Sequence, residues 1–129
     1  MAYCCRSLLV TAMKRPPRYA TIAKIALGFP GVEETIFHGA PWFEYGGSKG
    51  FVLYSPNEER WIFKLPKHQQ MMLFDTRPKT FTPMRAGRMI WSFVKVEDLD
   101  AAELRDLVTA AWTMVVPKKV AKMHREVHQ

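Results

Sequence analysis

The chain has 129 residues, of which 48% are hydrophobic, and this combination favours one folded domain with a substantial core and excludes a largely disordered chain. Its formal net charge of +7 at pH 7 favours polyanionic partners such as nucleic acid, although a basic surface without such a partner fits the charge equally well. No apolar run approaches the ~20 residues of a membrane span, and adjacent Cys4 and Cys5, the two cysteines present, exclude a disulfide scaffold and favour a reducing, cytoplasmic location.

The N-terminal residues are expected to lie outside the folded domain. We predict an extension over residues 1–15 and a single domain over residues 16–129. Because Pro16-Pro17 interrupts the chain and Met13 offers a better start, residues 1–12 are interpreted as a non-native or loosely ordered segment.

The first helix is predicted directly after Pro16-Pro17, since proline is tolerated in the first turn of a helix. Gly28 and the turn Phe29–Gly31 end it. Its apolar positions recur at helical spacing: Tyr19, Ile22, Ala23, Ala26 and Leu27.

Alternating apolar residues then predict several antiparallel strands with a short helix between them. The helix covers Lys67–Phe74, with Met71, Met72 and Leu73 filling the core. The last strand presents Ile90, Val94 and Val96 on one face and Trp91 and Phe93 on the other. The predicted strands are Thr35–His38, Trp42–Tyr45, Phe51–Tyr54, a segment alternating at Trp61, Phe63 and Leu65, an extended stretch around Pro83, and Ile90–Val96.

The clearest helix prediction covers Asp100–Val116. Asp100 followed by Glu103 is a variant of the capping box, and Pro117 ends or kinks the helix. Its core stripe consists of Leu104, Leu107, Val108, Ala111 and Val115.

This element order predicts an α+β fold, a two-layer sandwich in which N- and C-terminal helices cover one face of an antiparallel sheet. The other face is expected to stay open and to carry Trp91, Phe93 and one or more aromatic residues of the first hairpin.

The segment Gly46–Gly50 satisfies the G-x-S-x-G pattern of a nucleophile elbow, with Ser48 at the serine position. An elbow requires a helix after the serine, whereas Phe51–Tyr54 is typical of a strand. The same objection applies to Lys49 as a phosphate-loop lysine. We therefore predict a hairpin turn that displays a lysine.

Metal binding and catalysis find no support in the sequence. His124 and His128 lie four residues apart on a predicted helix, but no further ligand stands nearby, and a frayed, solvated terminus is the preferred interpretation. His38 and His68 are isolated. We expect no catalytic residues, no cofactor, no metal and no enzymatic activity.

Basic residues at turns and strand ends remain as candidate DNA contacts, since basic hairpins can hold phosphates, although a solvated basic face fits them as well. The stretch Glu97–Asp106 is acidic by contrast. The candidates are Lys49, Arg60, Lys64, Lys67, Arg77, Lys79, Arg85, Arg88, Lys118 and Lys119.

Three segments together resemble the MmcQ/YjbR family: "ALGFPGVEET" from Ala26, "HGAPWFEYGGSKGFVLYS" from His38, and "ELRDLVTAAWTMVVPKK" from Glu103. The resemblance covers roughly residues 18–122. It implies a CyaY/frataxin-like fold and DNA binding through a double-wing arrangement of hairpins, and it supplies no catalytic residues. His38 departs from the aromatic residue that many members carry there.

Iron binding, which the same fold supports in frataxins through an acidic first helix, does not transfer to this chain. Its first helix, "PRYATIAKIAL", is basic and has no carboxylate.

Three functions are therefore in competition. The first is a small cytoplasmic protein that binds double-stranded DNA with low sequence specificity. The second is a protein-interaction or self-association module, such as a homodimer, that uses the open sheet face. The third is an enzyme or ligand-binding protein whose site the sequence does not reveal, and a deep pocket with convergent polar groups would favour it.

Overall fold

The computed structural model describes residues 16–37, 39–84 and 91–127. Within these residues the chain forms six β-strands, four α-helices and one 3₁₀ turn at Val96–Asp98. The α-helices are α1 (Tyr19–Leu27), α2 (Lys67–Thr76), α3 (Ala101–Thr113) and α4 (Lys118–Val127), and the strands are β1 (Val32–Phe37), β2 (Ala40–Tyr45), β3 (Lys49–Ser55), β4 (Arg60–Lys64), β5 (Phe81–Pro83) and β6 (Trp91–Val94).

The six strands form one antiparallel sheet in the order β1-β2-β3-β4-β6-β5. The last strand of the chain therefore pairs with β4 and separates it from β5. Because residues directly opposite each other share a face, the register assigns every strand residue to one of two faces.

One face carries the core. Phe43, Val52 and Phe63 lie opposite one another on three adjacent strands, and all three are completely buried. The core stripe of α3 predicted from the sequence is buried against them, together with Ile22 and Ala26 of α1. The predicted α+β arrangement, with helices on one face of an antiparallel sheet, is confirmed.

Polar contacts fix the helices onto this face. The Asp100 carboxylate accepts a 2.8 Å hydrogen bond from the backbone N–H of Glu103, the predicted helix cap. The indole N–H of Trp61 donates to the Pro17 carbonyl at 2.8 Å, and the indole N–H of Trp112 to the Pro30 carbonyl at 3.4 Å. Both ends of α1 are thus held against the sheet and α3.

A buried polar pair lies where α2 meets the sheet. The Ser92 hydroxyl donates to Gln70 Oε1 at 2.6 Å, and Gln70 Nε2 donates to the Leu65 carbonyl at 2.9 Å. Both Gln70 and Ser92 are buried, so these bonds satisfy groups that water does not reach.

Several sequence predictions of burial were wrong. Leu27 is 46% exposed, and Met71 and Met72 are 62% and 57% exposed, because α2 turns Gln70 rather than the methionines toward the sheet. Val96 is buried but lies in the 3₁₀ turn after β6, and α3 ends at Thr113 rather than Val116.

The C-terminal helix is packed rather than frayed. The ring of His124 lies 5.0 Å from both the Phe29 and Trp112 rings, which fastens α4 to the helical layer. The predictions that concern the N-terminal extension 1–15, His38, Ile90, His128 and the turn at 86–88 lie outside the described residues. No helix within the described residues combines the length and apolar character that crossing a membrane requires.

Candidate nucleic-acid interface

The hairpin between β2 and β3 has a bare, exposed tip. Gly46 and Gly47 have φ angles of 66° and 78°, which glycine adopts without strain, and a Cβ at either position would meet nothing within 4 Å. Ser48 is exposed, and strand β3 rather than a helix follows it. The prediction of a turn at this motif is confirmed.

Strand direction brings three of the predicted lysines to one end of the sheet. Lys49 begins β3, and Lys64 ends the antiparallel neighbour β4, so the two lie at the same end. Lys67 begins α2 shortly afterwards. None of the three forms an ion pair with another described residue. We call these three residues the lysine end of the sheet.

Three other candidates lie at the opposite end. Arg60 begins β4, while Arg77 and Lys79 lie between α2 and the start of β5. Arg77 is already engaged, because it forms an ion pair with Glu103 and its guanidinium lies 5.7 Å from the Phe81 ring centroid. It therefore serves the packing of α2 against α3, and these three candidates are separated from the lysine end of the sheet.

Of the four remaining candidates, the structure describes two, both at the start of α4. Lys118 and Lys119 are exposed in the first turn of α4, which follows the end of α3. The end of α3 lies on the same side of the molecule as the hairpin tip. Trp112, near this end, donates to the Pro30 carbonyl, and Gly46 at the tip donates to the adjacent Gly31 carbonyl. Arg85 and Arg88 lie outside the described residues.

The second face of the sheet carries an apolar row that runs across four adjacent strands. Trp42 pairs with Leu53, Leu53 with Ile62, and Ile62 with Phe93, so all four side chains share one face. We call these four residues the open-face row. Ile62 is 3% exposed although it does not belong to the main core cluster, so this part of the open face is also covered.

Trp42 lies flat at one end of the row because of a glycine beneath it. A Cβ on Gly50 would stand 2.5 Å from three atoms of the indole ring, so only glycine permits this approach. The Phe37 ring packs edge-on against Trp42 at 4.9 Å. The buried indole N–H of Trp42 has no hydrogen-bond partner among the described residues.

Two cations border the other part of the row. The Lys64 ammonium lies 5.6 Å from the centroid of the Trp91 ring, a cation–π contact with its direct cross-strand neighbour. The guanidinium of Arg60 reaches across β6 and donates to the Thr82 hydroxyl at 3.2 Å. Arg60 and Lys64 thus hold positive charge on both sides of Ile62 and Phe93.

Acidic residues mark the border on the opposite side. Glu33 of β1 and Glu44 of β2 are direct cross-strand neighbours, so two like charges face each other. The apolar row therefore runs from an acidic pair near β1 toward the basic side chains of β4. Binding of a polyanion to this face is therefore favoured near β4 and β6 and disfavoured near the acidic pair.

The sequence revealed part of this face. Trp91 and Phe93 were predicted to lie on it, and Trp42 and Phe37 are the aromatic residues that the first hairpin contributes. Leu53 and Ile62 were not predicted as surface components. Their period-two alternation was visible, but only the register of β3 with β4 and of β4 with β6 aligns them.

No cluster of three or more potential metal ligands exists within the described residues.

A groove of about 840 Å³ runs along α1 and α3, with Lys24, Arg105 and Asp106 among its lining residues. Thr109, His124 and Arg125 also line it, so polar and charged side chains occur along the groove. Burial raises the pKa of the Tyr54 phenol above its ordinary value of 10.0, and Glu59 and Glu97 raise it further.

Comparison with known proteins gives one finding of similarity. A family model described as YjbR matches residues 27–114, which is well over half of the chain and includes all six strands and α2. No curated protein and no solved structure matches the chain.

Proposed function

The chain belongs to the YjbR family, and on that premise we propose that it is a small non-enzymatic protein that binds double-stranded DNA through the lysine end of its sheet. The match confirms the family resemblance seen in the sequence. The proposal is of binding without sequence preference, because phosphate contacts position a protein on the duplex and carry no sequence information.

The observation that carries this proposal is the convergence of Lys49, Lys64 and Lys67 without ion-pair partners among the described residues. A lysine already paired with a carboxylate gains little from a phosphate, whereas an unpaired one releases condensed counterions from the DNA. The net charge of +7 supports the same partner.

A salt titration of duplex binding tests the proposal. Three phosphate contacts predict a slope of about −2.7 for log affinity against log salt concentration. Replacing Lys49, Lys64 and Lys67 together by glutamine is expected to remove most of that slope. The measurement is fluorescence anisotropy of a labelled duplex at several salt concentrations.

A control variant with the same change in net charge distinguishes a localised binding site from a general effect of the protein's charge. Lys24, Lys79 and Lys95 are exposed residues away from the lysine end, and their replacement by glutamine changes the net charge by the same amount. This control variant is expected to keep most of the slope. Equal loss in both variants, or no binding by the folded wild-type chain at low salt, would overturn the proposal.

Self-association is a second candidate function, favoured by the edge strand β1. Strand β1 forms one edge of the sheet, and its Ile36 and Phe37 are 48% and 51% exposed. An exposed edge with large apolar side chains can pair with the same edge of a second copy. Sedimentation velocity of the wild type and of Ile36→Lys tests this, since a dimer that uses β1 is expected to dissociate in the variant.

A further inference from the structure

We propose that the open sheet face binds single-stranded nucleic acid, with bases stacked on the aromatic rings of Trp42, Trp91 and Phe93 and phosphates held by Arg60 and Lys64. This inference rests on the proposed function and extends it to a second mode of binding. Duplex binding at the lysine end uses charge alone, whereas bases in a duplex are stacked on each other and do not offer their faces to these rings.

The size of the row fits a short stretch of bases. Its four residues stand on four adjacent strands, and neighbouring strands lie about 4.8 Å apart, so Trp42 and Phe93 are separated by about 14 Å. Sheets that present aromatic side chains on one face stack about two or three bases. Between the rings, the half-buried Leu53 offers an apolar contact next to the buried Ile62.

The charges fit a polyanion on the β4 and β6 side of the face. Arg60 and Lys64 stand on β4 on either side of Ile62 and share its face, since they are two residues away in each direction. Arg60 extends across β6 toward Thr82, past the position of Phe93. Glu33 and Glu44 repel phosphates from the far border and so restrict the path of the strand.

The rings are held in place before any ligand arrives. Trp42 rests on Gly50 and against Phe37, and Lys64 covers part of Trp91. A ring fixed by packing loses little conformational freedom on stacking, so more of the stacking free energy remains for binding. Stacking requires only the face of a base and therefore gives at most a modest sequence preference.

Intrinsic fluorescence provides the first test, because two of the four tryptophans lie on the open face and two in the core. Trp42 and Trp91 lie on the open face, while Trp61 and Trp112 are completely buried. Titration with an oligothymidylate of about 16 nucleotides is expected to quench the wild type. The double variant Trp42→Phe with Trp91→Phe is expected to lose that quenching, since only the buried pair remains.

Affinity provides the second test. Phe93→Leu keeps an apolar side chain but removes the aromatic face, whereas Phe93→Tyr keeps the ring. Removing one stacked ring is expected to weaken oligothymidylate binding at least about fivefold, with Phe93→Tyr within about twofold of the wild type. Binding of a duplex of the same length is expected to change little in either variant.

The outcomes separate this inference from the proposed function. Unchanged oligothymidylate affinity in a folded Phe93→Leu protein, or quenching that survives in the double tryptophan variant, overturns the stacking site while duplex binding stands. A protein that binds neither probe at low salt overturns both. A change of oligomeric state in Phe93→Leu, without change in oligothymidylate affinity, assigns the open face to a second copy of the chain instead.

Discussion

The two faces of the sheet differ in what their aromatic residues contact. Phe63 on the covered face is completely buried among the helices, whereas Phe93, on the adjacent strand β6, is half-buried on the open face. Apolar side chains of α1 and α3 pack over the covered face. On the open face, the aromatic residues are bordered by neighbouring strand residues and by two cations, Arg60 and Lys64. The completely buried rings of the sheet thus lie on the covered face, whereas the rings of the open face are half-buried.

The largest expected effect is the difference in stability between Phe63→Ala and Phe93→Ala. Phe63→Ala creates a cavity in the core and is expected to cost about 3–5 kcal/mol of unfolding free energy. Phe93→Ala removes a partly solvated ring and is expected to cost less than about 2 kcal/mol. Urea denaturation of both variants measures the difference, and equal losses would show that the open face contributes to the fold as much as the core does.

A second expected effect concerns the polar group inside the covered face. Gln70→Leu leaves the Ser92 hydroxyl and the Leu65 carbonyl without these hydrogen bonds and is expected to cost about 1–3 kcal/mol. Gln69→Leu on the same helix is the control, because Gln69 is only half-buried. Similar denaturation midpoints for the two variants would contradict the importance of the buried pair.

A smaller effect is expected at the acidic border of the open face. Glu44→Gln removes the repulsion with Glu33 and is expected to raise the unfolding free energy by about 0.2–1 kcal/mol. The change is expected to diminish as salt is added, because surface charges are screened. A variant less stable than the wild type at low salt would indicate that Glu44 has a favourable role.

The smallest effect is expected at alkaline pH. The pKa of Tyr54 is raised in the folded chain, so the folded state retains this proton where the unfolded chain, with its ordinary value of 10.0, begins to lose it. Stability is therefore expected to fall as the pH rises through and above that value. Tyr54→Phe is expected to lose less stability over the same range, and parallel pH profiles for the two proteins would argue against this role.

Features determined by local sequence were predicted well. The cap at Asp100 and the α3 stripe depend on residues a few positions apart, and both are present. The turn at Gly46–Gly47 depends on positive φ angles that few other residues adopt. Such features require no knowledge of distant partners.

Features determined by distant partners were missed. Met71 and Met72 were placed in the core because they are apolar, but the orientation of α2 is set by the buried contact between Gln70 and Ser92. The open-face row forms because β6 pairs with β4, which is distant from it in sequence, as well as with its sequence neighbour β5. The lysine end likewise depends on strand directions within the sheet and on the start of α2.

The register of β2 and β3 contains one irregularity, between Phe43 and Glu44. Phe43 pairs with Val52 and Glu44 with Gly50, so Phe51 is an extra residue on β3 and is buried together with Val52. Deletion of Phe51 alone would convert the bulge into regular pairing and leave Leu53 opposite Trp42. Such a deletion would preserve the two faces of β3 but would remove a completely buried ring from the core, whereas a deletion at Leu53 would reverse every side chain that follows it on β3.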